Sequence, residues 1–206
     1  MPGKSIVFPA TCDKEGVVKK KTTYFVLALV ALLAGASAAQ AELGLKGIEG
    51  RVGFADLEAS VGSTFILSAA ADMGMLSPDL GLEFNVDFWT KGSDGFYGSS
   101  ASWTNIAFLA NLSYNFKMEG SFHPYAFAGL GLHYLNYSYD CPLCDDYPDY
   151  IEVDTSSSDV EFGFDVGAGA EFGSGNMIPV ARAGFNSNGG IDYLFVQGGL
   201  KFPMGK

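Results

Sequence analysis

The sequence predicts an all-β fold, an eight-stranded antiparallel up-and-down transmembrane β-barrel. Apolar and polar residues alternate along eight segments, and short runs of turn residues separate these segments. Some segments run to about fifteen residues, whereas globular strands average about 5–6 and a tilted membrane strand needs about 9–11. The predicted strands are 45–56, 63–74, 80–91, 102–116, 124–138, 158–173, 178–186 and 190–202.

The composition fits a chain that exposes little surface to water. Charged residues make up 17% of the chain and hydrophobic residues 48%, whereas soluble domains carry about 25% charged residues. The formal net charge of −11 argues against a nucleic-acid partner, because binding to phosphates needs patches of Lys and Arg. A length of 206 residues suits one domain after an N-terminal leader.

The N-terminal region predicts export through a cleavable signal peptide over about 19–41. Three lysines precede an apolar core from Tyr24 to Ala34, and Ala39-Gln40-Ala41 supplies the small-residue cleavage pattern. The core is too short for a membrane span, which needs about 20 residues. We therefore expect cleavage after Ala41.

The predicted domain organisation is a leader over 1–41 followed by the barrel over 42–206. Residues 1–17 are mixed and polar and fit no part of a signal peptide, so a mis-called translation start is one explanation for them.

Alternation is clearest in the sixth predicted strand. Its even-numbered residues from Val160 to Phe172 are all apolar, and its odd-numbered residues from Asp159 to Glu171 are acidic residues or glycines. A soluble β-sandwich also alternates, but long strands ending in aromatic residues such as Tyr114 favour a membrane barrel. Because lipid offers no partner for backbone N–H and C=O groups, such strands cross only as a closed ring.

The lengths of the connections fit this topology. With the mature N-terminus in the periplasm, the connections at 75–79, 117–123 and 174–177 are periplasmic, and all are short. The external connections include 92–101 and the longest, 139–157. Short periplasmic turns and longer external loops are typical of outer-membrane barrels.

Alternation also assigns nine charged residues to the barrel interior, and the chain's two arginines are expected to contact at least one of the acids. On the lipid face an Arg or Lys would cost about 2–4 kcal/mol at the midplane. We interpret the set as a hydrogen-bonded plug, because eight strands leave room only for side chains; a switchable small-solute pore is the alternative. The predicted interior charge network is Glu49, Arg51, Glu83, Asp87, Glu161, Asp165, Glu171, Arg182 and Lys201.

The glycine pairs Gly129-Leu130-Gly131 and Gly167-Ala168-Gly169 do not indicate a nucleotide site. They lie inside predicted strands and no helix follows them, so the context of a dinucleotide-binding loop is missing. We expect these glycines to make room for bulkier neighbours inside a narrow barrel.

The chain resembles the small outer-membrane β-barrel family, which includes the OmpA transmembrane domain and OmpX-like and OmpW-like porin-family proteins. Residues 123–132 look like the family's Pro-Tyr-x-x-x-Gly-x-Gly strand, and residues 164–172 look like its Gly-x-Gly-x-Glu strand. Residues 197–202 are similar to the closing strand that the barrel-assembly machinery reads. The resemblance implies a bacterial outer-membrane location, with outer-membrane lipid, lipopolysaccharide and that machinery as partners.

The most distinctive external segment carries Cys141 and Cys144 among acidic residues. Between Asp140 and Asp159 there are seven acidic residues and no basic ones. We favour a small loop disulfide formed in the periplasm over a zinc site, which needs four ligands, or a redox pair, which normally opens a helix. The carboxylates lack EF-hand spacing, so a solvated acidic loop is favoured over a calcium site.

No catalytic residue, metal or cofactor is assigned. His133 is expected to point inward near the outer rim, and no Gly-x-Ser-x-Gly elbow exists. We hypothesise a structural or surface-interaction role in which the barrel anchors external loops, with an unidentified surface ligand. A narrow pore for small or apolar solutes is the alternative, and a lipid-modifying barrel enzyme is the third.

Overall fold

The computed structural model describes residues 42–58, 61–94, 100–140 and 156–204. These residues form a closed barrel in which each strand pairs antiparallel with its neighbour in sequence, and β1 pairs with β8 to complete the ring. The predicted all-β, up-and-down fold is confirmed. The strands are β1 (Glu42–Leu57), β2 (Gly62–Ser77), β3 (Leu80–Asp94), β4 (Ser100–Asn115), β5 (Phe122–Asp140), β6 (Ser156–Phe172), β7 (Ile178–Ser187) and β8 (Tyr193–Pro203).

The two ends of the barrel differ. The end at which β1 starts and β8 finishes is called the terminal end here, and its connections are the turn at 78–79 and the segments 116–121 and 173–177. The opposite end is called the loop end. The part of the chain between β5 and β6, which includes Cys141 and Cys144, lies outside the described residues. The predicted leader over 1–41 also lies outside them.

Every predicted strand boundary lies within three residues of the observed one. Differences of three residues occur at both ends of the barrel, and at the loop end β3 and β4 continue into the predicted loop 92–101. There the β-ladder persists to the pair Asp94↔Ser100, because pairing satisfies backbone groups that a loop would leave to water. The predicted β8 starts too early, because Gly189 adopts a positive φ of 75° and ends the pairing.

The two faces of the sheet are inverted relative to a soluble protein. Phe65, Val160 and Val196 point outward and are each 65% exposed, whereas Asp165 and Arg182 are 1% and 3% exposed inside the ring. Soluble domains bury apolar residues and expose charged ones. An apolar exterior around a polar lumen is the pattern of a barrel surrounded by lipid.

None of the described residues belongs to a helix of the length and hydropathy that would let it cross a membrane.

Candidate functional site

The candidate site is the lumen, and its centre is organised by Arg51. This side chain, on β1, is almost fully buried. It donates from Nη1 to Glu49 Oε1 at 2.5 Å and from Nη2 to Asn85 Oδ1 at 2.5 Å. Glu83 Oε1 lies 3.7 Å from Arg51 Nη1. A buried guanidinium is therefore compensated by two carboxylates and an amide, as burial of a charge requires.

Arg182, on β7, reaches the same centre from two strands away, since β8 lies between β7 and β1 in the ring. Its Nη1 donates to Glu83 Oε1 at 2.8 Å and its Nη2 to Asp165 Oδ2 at 2.9 Å. The guanidinium carbon also lies 3.5 Å from the centroid of the Phe127 ring, a cation–π contact. Asn111 fits best with its nitrogen donating to Asp165 Oδ1 at 3.1 Å and its oxygen accepting from Arg182 Nη2 at 2.5 Å.

A hydrogen-bonded chain that runs through the Asp87 carboxylate extends this arrangement to β8. Asn85 Nδ2 donates to Asp87 Oδ1 at 2.7 Å, and Ser68 donates to the same carboxylate oxygen. Gln197 Nε2 in turn donates to Ser68 Oγ at 2.5 Å. We call the connected set the central polar network; its members are Glu49, Arg51, Ser68, Glu83, Asn85, Asp87, Asn111, Asp165, Arg182 and Gln197.

A separate ion cluster lies towards the terminal end. Lys201 Nζ is 2.8 Å from Asp72 Oδ2 and 2.7 Å from Glu171 Oε1. Asp72 is absent from the charges predicted to be interior. Alternation along β2 places it on the same face as Ser68, so the sequence carried the signal that identifies it.

Apolar and aromatic side chains also fill the lumen, from the start of β5 near the terminal end to the last residue of β1 at the loop end. Trp89 and Tyr193 are both fully buried, and their rings meet edge to face with centroids 5.9 Å apart. Val61, Trp103 and Ile191 pack against this group from the loop end. We call the buried set the apolar cluster; its members are Ala55, Leu57, Ile66, Trp89, Tyr125, Phe127, Tyr193 and Phe195.

His133 holds a structural position between Asn105 and Asn188. It is fully buried, and its Nδ1 lies 3.2 Å from Asn105 Oδ1 and 3.4 Å from Asn188 Nδ2. Asn188 Oδ1 accepts from the backbone nitrogens of Gly190 and Ile191 at 3.1 and 2.8 Å. His133 therefore contacts the residue that caps the β7–β8 turn, and no Ser, Thr or Cys among the described residues hydrogen-bonds to its ring.

The strand glycines make room for these side chains. A Cβ on Gly129 would overlap Asn111 Oδ1 and Asp165 Oδ1, both in the central polar network. A Cβ on Gly169 would overlap the Tyr125 ring. The geometry agrees with the packing role that the sequence suggested for the glycine pairs.

Two cavities flank the filled region. The vestibule, of about 700 Å³, lies at the terminal end, and its wall includes Glu49, Glu83, Glu171 and Lys201. The mouth pocket, of about 210 Å³, lies at the loop end. The two cavities share no lining residue, and the central polar network and the apolar cluster lie between them.

The nine predicted interior charges fall into three places. Lys201 and Glu171 lie in the ion cluster, and Glu161 lines the mouth pocket. The remaining predicted charges lie in the central polar network, and they are Glu49, Arg51, Glu83, Asp87, Asp165 and Arg182. The sequence analysis did not single out Ser68, Asn85, Asn111 and Gln197. Within the described residues, no group of three or more His, Cys, Asp or Glu side chains is arranged to hold a metal ion.

A closed ring of long strands with an apolar exterior and a packed polar lumen defines the class of small outer-membrane β-barrels. The profile of the family described as outer membrane protein beta-barrel domain matches residues 25–202. The chain therefore belongs to this family, as its strand motifs suggested.

Solved structures give the same fold. The neisserial surface protein A, NspA, superposes with a TM-score of 0.58 at 15% identity, covering 77% of this chain and 96% of that one. Ail, the attachment invasion locus protein of Yersinia pestis, in complex with the heparin analogue sucrose octasulfate, gives a TM-score of 0.50 at 13% identity, covering 78% and 100%. At such low sequence identity, these similarities show a common fold and nothing further. No curated protein matches the sequence.

Proposed function

We propose that this protein is a closed, non-enzymatic barrel that anchors its loop end at the outer surface of the bacterial outer membrane for contact with molecules outside. One observation carries the proposal. The central polar network and the apolar cluster occupy the lumen between the vestibule and the mouth pocket. A filled lumen leaves the two ends as the surfaces available for interaction.

The proposed orientation and export route rest on the general architecture of outer-membrane barrels and on the sequence. In outer-membrane barrels short turns face the periplasm and longer loops face outward, and this general pattern supports a periplasmic terminal end and an external loop end. A signal peptide over about 19–41 would direct export. The barrel-assembly machinery, outer-membrane lipid and lipopolysaccharide are the partners that this location implies.

The chemistry of the external end favours cationic partners. The sequence from Asp140 to Asp159 carries seven acidic residues and no basic ones. A polyanion such as the heparin analogue bound to Ail would be repelled by this concentration of negative charge. Opposite charge across an interface raises association rates and sets partner choice.

A narrow pore is the second candidate, because the vestibule penetrates as far as Glu49 and Glu83. Conduction would require Arg51 and Arg182 to leave their carboxylates and the apolar cluster to open.

A lipid-modifying activity has less support. His133 is buried in the lumen, away from the lipid-facing wall on which a lipid substrate would lie.

Planar-bilayer recording on the purified, folded barrel tests the proposal. A heat-modifiability gel first establishes that the barrel is folded, since folded barrels migrate differently before and after boiling. We expect folded protein to give no unitary current steps across a range of voltage and salt. Reproducible single-channel steps would overturn the closed barrel in favour of the pore, and lipid mass spectra that change on expression would overturn the non-enzymatic assignment.

A further inference from the structure

We propose that the mouth pocket binds an organic cation, meaning an alkylammonium or guanidinium group presented from outside the cell. The inference extends the proposed function, because it names the chemistry that the loop end recognises. The pocket measures about 210 Å³. The lining residues that carry the inference are Trp103, Leu135, Tyr137, Asp159, Glu161 and Ile191.

The first feature is an aromatic wall. The rings of Trp103 on β4 and Tyr137 on β5 lie with their centroids 5.3 Å apart and their planes inclined by 48°. Both side chains are only half-buried, so ring surface remains accessible from the pocket. Faces of Trp and Tyr rings attract ammonium and guanidinium groups, and desolvated sites of this kind bind quaternary ammonium ligands.

The second feature is a pair of carboxylates that accept no hydrogen bond from a described residue. Asp159 is exposed and Glu161 is half-buried, and both have the inward phase of β6 and line the pocket. Among the described residues neither side chain has an ion pair or a hydrogen bond. The other interior carboxylates differ: Glu83, Asp165 and Glu171, for example, each accept from an Arg or Lys. A bound cation would supply the missing charge partner, and no Lys or Arg lines the pocket to compete with it.

The third feature is size and apolar character. Drug-sized ligands occupy pockets of roughly 300–1,000 Å³, so about 210 Å³ suits a single cationic head group with its attached methyl or methylene carbons. Leu135 and Ile191 offer apolar contact for those carbons. The group could belong to a free small molecule or to a Lys or Arg side chain of a polypeptide, and the experiment separates these sources.

Tryptophan fluorescence provides the readout. The chain has two tryptophans, Trp89 in the apolar cluster and Trp103 in the pocket, so W89F protein reports Trp103 alone. We expect choline to give a saturable fluorescence change, and 3,3-dimethylbutan-1-ol, its neutral isostere, to bind at least about tenfold more weakly. Isothermal titration of the unmodified barrel with the same probes covers the case in which W89F does not fold.

Matched variants locate the binding. E161Q and D159N should each raise the Kd for choline by about fivefold or more, whereas D56N should leave it unchanged. Asp56 is a suitable control because its carboxylate lies at the loop end, bonds to Ser63 at 2.9 Å and does not line the pocket. Titration with a short blocked peptide, whose single lysine is its only charged residue, then shows whether a polypeptide side chain is also accepted.

Three outcomes would overturn the proposal: no saturable choline binding to folded barrel, equal binding of the neutral isostere, or an equal effect of D56N and E161Q. These results are separate from the conductance test. A barrel that conducts could still bind choline in its mouth, and a silent barrel could fail to bind it.

Discussion

Glu83 Oε1 accepts a hydrogen bond from Arg182 Nη1 at 2.8 Å although the two residues lie 99 positions apart in the sequence. The same carboxylate oxygen is 3.7 Å from Arg51 Nη1. Glu83 therefore joins both arginines of the chain inside one buried network. Removing one partner of such a network leaves the others charged and uncompensated, and this makes the lumen sensitive to single substitutions.

Replacing Arg182 with Met should lower the free energy of unfolding by about 3–5 kcal/mol, because Asp165 and Glu83 lose a buried partner while the side-chain volume is largely kept. Equilibrium urea unfolding of the barrel in lipid vesicles measures the change. K117A is the matched control, because Lys117 pairs with Asp79 at 2.9 Å with most of its side chain exposed; we expect no measurable change there.

The double variant D165N/R182M sharpens this test. Removing the charge of Asp165 as well should recover part of the stability lost in R182M, since no unpaired carboxylate then remains at that position. The single variant D165N completes the cycle. If the losses in unfolding free energy of D165N and R182M simply add up in the double variant, the two residues are not coupled.

Replacing Trp89 with Ala should lower the unfolding free energy by about 3–5 kcal/mol, because a fully buried indole leaves a cavity beside Tyr193. The same vesicle unfolding assay measures the loss. The variant should nevertheless stay silent in planar bilayers, since the central polar network still fills the lumen. Current steps in folded W89A protein would show that the apolar cluster is the barrier to conduction.

The strand pattern could be predicted from the sequence because a period of two assigns a face to each residue. That period alone places Glu83 and Arg182 inside the ring. It does not say that they meet, because their approach depends on the tilt and stagger with which the ring closes. Asp72 obeys the same period, so the position of its side chain was predictable, whereas its pairing with Lys201 was not.

Features at the loop end were harder to predict, since they depend on turn geometry. Asn188 folds back to accept from the backbone nitrogens of Gly190 and Ile191, and so the chain around 190 forms a turn rather than the start of β8. The mouth pocket arises where this turn meets Trp103 and Glu161. Alternation is sufficient to give both residues an inward face, but it contains no information on the geometry of this turn.

Two glycine substitutions should affect the free energy of unfolding differently although both lie in strands. G129A should destabilise the barrel by about 1–3 kcal/mol, because the added Cβ overlaps Asn111 and Asp165 in the filled lumen. G50A should be neutral or stabilising by up to about 1 kcal/mol, because nothing lies within 4 Å of its added Cβ and the unfolded chain loses freedom. Unfolding in vesicles compares the two, and equal effects would contradict the packing assigned to Gly129.

Depth-dependent charge substitutions on the outer wall test whether lipid surrounds it. Val166 lies in the middle of the apolar row of β6 and Val160 lies nearer the loop end, and both point outward. V166R should lower the unfolding free energy in vesicles by about 2–4 kcal/mol, whereas V160R should lower it by about 0–1 kcal/mol, because an arginine near the interface can reach water. Equal effects at the two positions would contradict a membrane midplane near Val166, and no effect at either would mean that this face contacts water.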